Sequence, residues 1–400
     1  MRALILLLVV CGSLTILPLG CVDPLELSGR GTVDVIVIDG TITNLAEDQT
    51  VRINRSKADP LTGRFGSTPI TQATVTVVVD SVQIIRMIET DSGKYRAPAK
   101  FMGQIGHTYQ LHITLRDGTR YESSTEVMQA VPPIGKLSSR FNPNSLAPDQ
   151  QLQNFYAAAH DFYVTIKDPA NQHNYYRWGW KLWEKQQWCR TCANGAYFIH
   201  DPRDTTMLYE NCFPVSTDKP YVYDYECRTH CWDIFQGYEV NVFDDQYSNG
   251  GTITDRRVAQ IPLYQRNPCL VEIRQGSLTA DAHRYFKLLQ DQTQNTGGIA
   301  DTPPTIAGGN VRNLTNTREP VVGYFSASAV SSELYWLDRK DATTRAPGLF
   351  MAKNDRDPIP ESLIFGPIPL LIPGESRPPT AVCLKSDGRT PTTPKGWREN

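Results

Sequence analysis

Hydrophobic positions in the first third of the chain follow a two-residue period, which is typical of β-strands. From Val33 to Ile38 both alternating faces are largely apolar, so we expect a buried strand that ends at the turn signal Asp39-Gly40. Further predicted strands are Thr41–Thr43, Val51–Ile53, Ala73–Val79, Val82–Ile88, Tyr109–Leu115 and Tyr121–Val127, with turns at Asp91-Ser92-Gly93 and Asp117-Gly118. About seven strands spaced in this way predict a β-sandwich, which we place at residues 32–133.

The class of this sandwich is suggested by two short motifs. Gly93-Lys94-Tyr95 and Gly106–Leu111 resemble elements of transthyretin-like and carboxypeptidase-regulatory modules. The resemblance implies an immunoglobulin-like or transthyretin-like sandwich that serves as a spacer or docking surface and carries no chemistry.

The rest of the chain, residues 134–400, is predicted as a larger β-rich domain with one prominent helix. Large apolar residues occupy the even positions Tyr176, Trp178, Trp180 and Leu182, which indicates a half-buried strand. Near residues 278–294 the period changes to that of a helix, with Ala282, Tyr285, Phe286 and Leu289 on one face and Ser277 or Thr279 as its cap. Other predicted strands are Phe162–Ile166, Val321–Phe325 and Glu333–Leu337. The fold class expected for the whole chain is therefore mainly β.

The N-terminus has the layout of an export signal. Arg2 precedes an apolar run, and Gly20 stands directly before Cys21. We expect residues 1–20 to be a signal peptide, Cys21 to receive the lipid of a bacterial lipoprotein, and residues 21–31 to form a linker from the bilayer. The alternative is an ordinary secretory signal, after which Cys21 forms a disulfide or stays free.

The net charge and its distribution exclude nucleic acid as a partner. The formal net charge is −2 and the charges are well mixed, so the chain has no basic surface for nucleic acid. No cofactor is expected.

Cysteine usage agrees with export. The chain has nine cysteines; besides Cys11 and Cys21 these are Cys189, Cys192, Cys212, Cys227, Cys231, Cys269 and Cys383. Five of them fall in a predicted insertion at about 185–235, where disulfides can stabilise a loop-rich segment. The alternative is a metal site built from Cys189-x-x-Cys192 with Cys227-x-x-x-Cys231, or with His200 and His230. Seven is an odd number, so one thiol is free or paired elsewhere.

Aromatic residues in the same part of the chain are candidate ligand contacts. Trp183, Trp188 and Trp232 can offer stacking faces to sugar rings or peptide side chains. The alternative is that such aromatics fill a β core and cover the disulfides.

Catalytic motifs are weak. The carboxylate pairs Asp244-Asp245 and Asp201 with Asp204 can in principle act as acid and base in a hydrolase. The sequence has no Gly-x-Ser-x-Gly motif and no His-Glu-x-x-His motif, which are common hydrolase signatures. We therefore predict no catalytic residue and no resident metal.

One segment is specific enough to indicate a family. Residues Val271–Ser331, together with the motifs CVDP, DGTITN, PITQATVTV, GKY and GYFSAS, resemble Bacteroidota outer-membrane lipoproteins labelled a domain of unknown function. Genes of such proteins often neighbour those of TonB-dependent receptors. Members commonly end with a Cys-x-x-Cys, whereas here Ser386 follows Cys383. The resemblance thus implies that Cys383 pairs with a distant cysteine, such as Cys269, or stays free.

The expected function follows from this location. The leading hypothesis is a non-enzymatic, outer-membrane lipoprotein that captures a ligand for a TonB-dependent transporter or docks on it, at the cell surface or the periplasmic face. The alternatives are an exported hydrolase that acts on a glycan or peptide, and a structural or adhesive envelope protein.

Overall fold

The chain folds into a mainly β structure, as predicted. The computed structural model describes residues 35–58, 65–148, 150–151, 156–201, 204–214, 222–293, 308–361 and 380–399. The predicted signal peptide, Cys21 and the linker 21–31 lie outside the described residues.

The first unit is a two-sheet sandwich, which we call the first sandwich. Its strands in chain order are β1 (Val35–Thr43), β2 (Thr50–Ala58), β3 (Phe65–Pro69), β4 (Thr74–Val79), β5 (Gln83–Arg86), β6 (Ile88–Asp91), β7 (Lys94–Arg96), β8 (Thr108–Thr114), β9 (Arg120–Ser123) and β10 (Glu126–Val127). One sheet contains β1, β2, β3, β6 and β7, and the other contains β4, β5, β8, β9 and β10. Side chains of both sheets, including Ile36, Ile53, Val77 and Leu111, share one fully buried core.

Strand β1 runs through the predicted turn at Asp39-Gly40, so that prediction is wrong. A Cβ on Gly40 would lie 2.7 Å from Cγ2 of Val51 on the facing strand. Glycine is needed here because the Val51 side chain occupies the space that a Cβ would take. The turns at Asp91-Ser92-Gly93 and Asp117-Gly118 are present, and both glycines have positive φ.

Three late strands return to the first sandwich. They are β22 (Val311–Asn313), β23 (Val321–Val322) and β24 (Phe325–Ser328). Strand β22 pairs with β9, whereas β23 and β24 pair in parallel with β1. The predicted end of the sandwich at residue 133 therefore needs a correction, because three strands from the predicted second domain complete the sandwich.

The second β region contains two sheets that enclose a second core. The three-stranded sheet consists of β11 (Lys136–Asn142), β12 (Ala159–Lys167) and β20 (Thr252–Pro262). The larger sheet contains β13 (Tyr175–Lys185), β18 (Trp232–Gln236), β19 (Asn241–Asp244), β21 (Cys269–Leu278), β25 (Val330–Leu337) and β27 (Arg389–Thr390). Tyr176, Trp178, Trp180 and Leu182 of β13 are all buried in the core between these sheets, as their alternation predicts.

Two helices occur in the described part of the chain. Helix α1 (Ala280–Thr293) agrees with the predicted helix, and α2 (Leu349–Asn354) is a short element. Thr279 is the cap, since its Oγ1 accepts a hydrogen bond from Ala282 N at 3.2 Å. Ala282 and Phe286 are buried on the predicted apolar face.

The remaining strands form the unit that we call the Cys-rich lobe. They are β14 (Trp188–Ala193), β15 (Gly195–Asp201), β16 (Asp204–Pro214), β17 (Val222–Cys227) and β26 (Thr380–Ala381). Strands β15 and β16 form a hairpin, and β17 pairs with both β14 and β26. The C-terminal segment thus adds one strand, β26, to the lobe and another strand, β27, to the larger sheet.

Candidate functional site

A break in strand pairing creates an opening along one strand of the larger sheet. Along one edge β13 pairs continuously with β21. Along its other edge it pairs with β19 at Tyr175–Trp178 and with β18 at Lys181–Lys185. Between these pairings the segment 237–240 leaves the sheet, held by a hydrogen bond from Gly237 N to Trp180 O at 3.1 Å. The result is a cleft beside the middle of β13.

The cleft combines aromatic and polar walls. Its lining includes Trp178, Trp180, Glu239, Asn241, Arg257 and Gln260. Its volume is about 160 Å³, whereas complete small-molecule sites are typically about 300 to 1,000 Å³. The cleft is therefore large enough for one end or one unit of a longer ligand.

Polar groups in the cleft are available to a ligand. The buried Trp180 indole N–H interacts with the Glu239 carboxyl. Arg257 is exposed at the rim. Dehydration by surrounding protein atoms raises the pKa of the Glu239 carboxyl. Arg257 can pair with an anion, and Glu239 can accept a hydrogen bond from a ligand.

An exposed aromatic side chain stands next to the cleft. Tyr238 lies between two lining residues, Gly237 and Glu239, and is 93% exposed. Tyr247 is equally exposed but does not line the cleft. The ligand contacts predicted from the sequence are tryptophans instead, because the exposure of a tyrosine in a loop leaves no local sequence pattern.

The three predicted ligand tryptophans are not brought together. Trp183 is half-buried with the Lys181 ammonium 5.0 Å from its ring centroid, and Trp188 is half-buried against Phe350. Trp232 is fully buried, so its selection as a ligand contact is wrong. The reason is that β18 lies between β13 and β27, and the Trp397 ring covers it at 5.5 Å.

The cysteine cluster forms disulfides. The bonds join Cys189 to Cys227, Cys192 to Cys212 and Cys231 to Cys383. These bonds use the sulfurs that the alternative metal site required. Cys383 does pair with a distant cysteine, but its partner is Cys231 and not Cys269.

Cys269 is the exception among the seven candidates, because it is a buried free thiol. It lies in β21 opposite Glu184 of β13, and the Glu184 carboxylate forms a buried ion pair with Arg339. Burial raises the pKa of the Cys269 thiol far above its ordinary value. Its inclusion among the disulfide candidates is therefore wrong.

The proposed acid pairs lie away from the cleft. Asp244 and Asp245 stand at the end of β19 beside His173, with 2.6 Å between Asp244 Oδ1 and His173 Nε2. Asp201 and Asp204 face each other across the end of the β15–β16 hairpin. Neither pair lines the cleft, and the Asp204 side chain lies outside the described residues.

Neither described helix has the length and apolar character that a membrane-spanning segment requires.

These features define a mainly β, disulfide-bonded protein with a partly open cleft between its strands. Residues 22–333 match the family described as a domain of unknown function, DUF4249, and since this is most of the 400-residue chain, the protein belongs to that family. No curated protein matches the chain.

Proposed function

We propose that this protein is a lipid-anchored outer-membrane protein, without enzymatic activity, that captures a ligand for a TonB-dependent transporter or docks on it. The observation that carries the ligand-binding part is the composition of the cleft. The Glu239 carboxyl and the exposed Arg257 guanidinium meet at one opening beside β13, next to the almost fully exposed ring of Tyr238. Such a combination is typical of recognition sites.

The cleft is better suited to binding than to hydrolysis. Hydrolysis of a glycosidic bond ordinarily uses two carboxyl groups that flank the bond. Among the described residues that line the cleft, Glu239 is the one carboxylate. The exported-hydrolase alternative would need a second acid, and the pairs at Asp244 and Asp201 lie elsewhere.

Docking is supported by the edge of the first sandwich. Strands β5 and β6 are the terminal strands of its two sheets, and they follow one another in the chain. Ile84 and Ile88 on these strands are 68% and 64% exposed, and Val82 in the preceding turn is exposed as well. Exposed apolar edge strands are favoured sites for pairing with another chain.

The anchor is supported by the sequence of the N-terminus. Acylation at Cys21 would hold the chain on a lipid bilayer, and the linker 21–31 would give the first sandwich freedom to reach a receptor. The membrane is therefore proposed as a second partner.

Two exposed tyrosines provide the test of ligand capture. The full-length protein, Tyr238→Ala and Tyr247→Ala would be titrated with a panel of soluble oligosaccharides and short peptides while tryptophan fluorescence is recorded. We expect at least one probe to bind the unaltered protein, to bind Tyr238→Ala at least tenfold more weakly, and to bind Tyr247→Ala normally. Both tyrosines are almost fully exposed, so neither change should affect folding.

Chromatography of the incubated probes separates binding from catalysis. Recovery of the bound probe intact supports the proposal. Cleavage of the probe by the unaltered protein, or equal binding by both tyrosine variants, would contradict it.

A further inference from the structure

A compact group of metal-ligating side chains lies at the far end of β19, outside the cleft. His173 stands before β13, and Asp244 is the last residue of β19, where it pairs with Tyr175. This pairing brings together residues 71 positions apart in the chain. His173 Nε2 is 2.6 Å from Asp244 Oδ1 and 3.5 Å from Asp245 Oδ1. One nitrogen and two carboxylate oxygens therefore converge on one point.

The buried carboxylate of Asp245 points to an occupant. Its side chain is fully buried, and its Oδ1 accepts no hydrogen bond from an N–H or hydroxyl group of the described residues although it faces His173. Leaving a buried carboxylate oxygen without a partner is costly, so such atoms are normally hydrogen-bonded or coordinate a cation.

Neighbouring charge increases this cost. The Asp168 carboxyl is also buried and lies within hydrogen-bonding contact of the Asp245 carboxyl. Its own oxygens accept hydrogen bonds from Tyr176 Oη and Gly250 N. Among the described ion pairs, no Lys or Arg is within 4.0 Å of Asp168 or Asp245. Three carboxyl groups therefore lie close together here, near the imidazoles of His173 and His283.

Surrounding contacts hold the three ligating side chains in place. Asn174 Nδ2 donates to Asp245 Oδ2 at 3.1 Å, which leaves Oδ1 directed at His173. Gln246 N donates to Asp244 Oδ1 at 2.8 Å. The Tyr175 hydroxyl is 3.4 Å from His173 Nδ1, and the two rings stack. Supporting hydrogen bonds of this kind orient the ligands of protein metal sites.

We propose that His173, Asp244 and Asp245 bind a divalent transition-metal ion, for which Zn²⁺ is the probe. A tetrahedral site with bonds of about 2.1 Å separates neighbouring ligand atoms by about 3.4 Å. The His173–Asp245 distance already has this value, and a small movement of Asp244 reaches it. One imidazole with two carboxylates suits Zn²⁺ or Mn²⁺, whereas Ca²⁺ takes six to eight oxygens.

The fourth position would be open to solvent. The His173 side chain is 48% exposed, so the ion can enter and can keep a water molecule or a ligand atom. This proposal rests on the geometry of the three side chains and does not depend on ligand capture in the cleft.

The test uses a second His–Asp pair as its control. His107 Nδ1 lies 2.5 Å from Asp80 Oδ2 in the first sandwich, with a single carboxylate and in exposed surroundings. The full-length protein in mild detergent, freed of metal with a chelator, would be dialysed against Zn²⁺ and its metal content measured. His173→Ala, Asp245→Asn and His107→Ala would be treated in parallel.

We expect one Zn²⁺ per chain for the unaltered protein and for His107→Ala, and at least tenfold weaker binding for the other two variants. Zn²⁺ should also raise the melting temperature of the first two proteins and not of the others. If Asp245→Asn does not fold, His173→Ala decides the test, because the His173 side chain is half-exposed and its replacement should not affect folding. Absence of binding by the unaltered protein, which would leave an ion pair only, or equal binding by all variants would overturn the proposal.

Discussion

The first sandwich and the Cys-rich lobe are both built from short β-strands, but they are stabilised in different ways. The sandwich encloses a continuous apolar core with contributions from both sheets and from the late strand β24. The lobe has two small clusters instead, one of cysteines, three tyrosines and one alanine, and one of Ala196, Phe198 and Phe213. All three disulfides found in the described residues lie in the lobe or tie the C-terminal segment to it.

The difference shows how local sequence determines the means of stabilisation. The sandwich alternates β-branched residues along its strands, so two sheets can bury enough apolar surface between them. The lobe lacks such an alternating set of β-branched residues. Its disulfides stabilise it instead, because covalent links reduce the entropy of the unfolded chain. Each region should therefore respond to a different perturbation.

The largest loss of stability should come from replacing a residue of strand β24 in the core of the sandwich. Phe325 is fully buried there, so Phe325→Ala should lower the free energy of unfolding by about 3 to 5 kcal/mol. Leu334→Ala, at a 44% exposed position of β25, is the control and should cost less than about 0.5 kcal/mol. Denaturant unfolding measures both. Equal small effects would mean that β24 does not complete the sandwich.

Loss of one disulfide should affect the lobe selectively. The bond between Cys231 and Cys383 spans 152 residues, and replacing both cysteines by serine should cost about 3 kcal/mol. Limited proteolysis should then cut the lobe while the first sandwich stays intact. Cys269→Ala should leave the reductant sensitivity of the protein unchanged, because this thiol forms no disulfide. Simultaneous cleavage of both regions would remove the distinction between them.

A pH-dependent effect should arise where helix α1 meets the first sandwich. Burial raises the pKa of Glu126 above 4.5 although Thr279, Tyr324 and other groups donate to it. The folded state therefore holds this proton more tightly than the unfolded state, and stability is lost as pH rises from about 4.5. Glu126→Gln cannot ionise, so its stability relative to the unaltered protein should increase with pH. Urea unfolding between pH 4 and pH 7 measures this, and a relative stability that falls with pH would contradict it.

The smallest effect should come from the cap of helix α1. Thr279→Ala removes the hydrogen bond to Ala282 N and should cost about 1 kcal/mol. Thr279→Ser keeps the hydroxyl and should restore most of the stability. If both variants behave alike in thermal unfolding, the hydroxyl does not stabilise the helix.

Local pattern predicted the elements well. Alternation at Trp178 and Trp180 predicted a strand with these rings in the core, and the spacing of Ala282 and Phe286 predicted a helix within two residues of its observed ends. Both signals depend only on neighbours along the chain. The turn predicted at Asp39-Gly40 failed because the need for glycine arises from Val51 on another strand.

Contacts between segments that are distant in the chain could not be predicted from the local sequence pattern. The return of β24 to β1 and the pairing of Cys231 with Cys383 join distant segments. The proximity of His173 to Asp244 depends on strand pairing, so no metal-ligand spacing is visible along the chain. The burial of Trp232 likewise follows from β27, a strand of two residues near the C-terminus.

The most direct test of the proposed function is an affinity purification of the full-length protein from its native envelope in mild detergent. We predict that a β-barrel receptor of the TonB-dependent class co-elutes in near-equal amount. It should be lost from Cys21→Ser and from the double variant Ile84→Asp, Ile88→Asp, whereas Leu384→Asp, at a 54% exposed position near the C-terminus, should retain it. Absence of any receptor from the lipidated, unaltered protein would contradict the account.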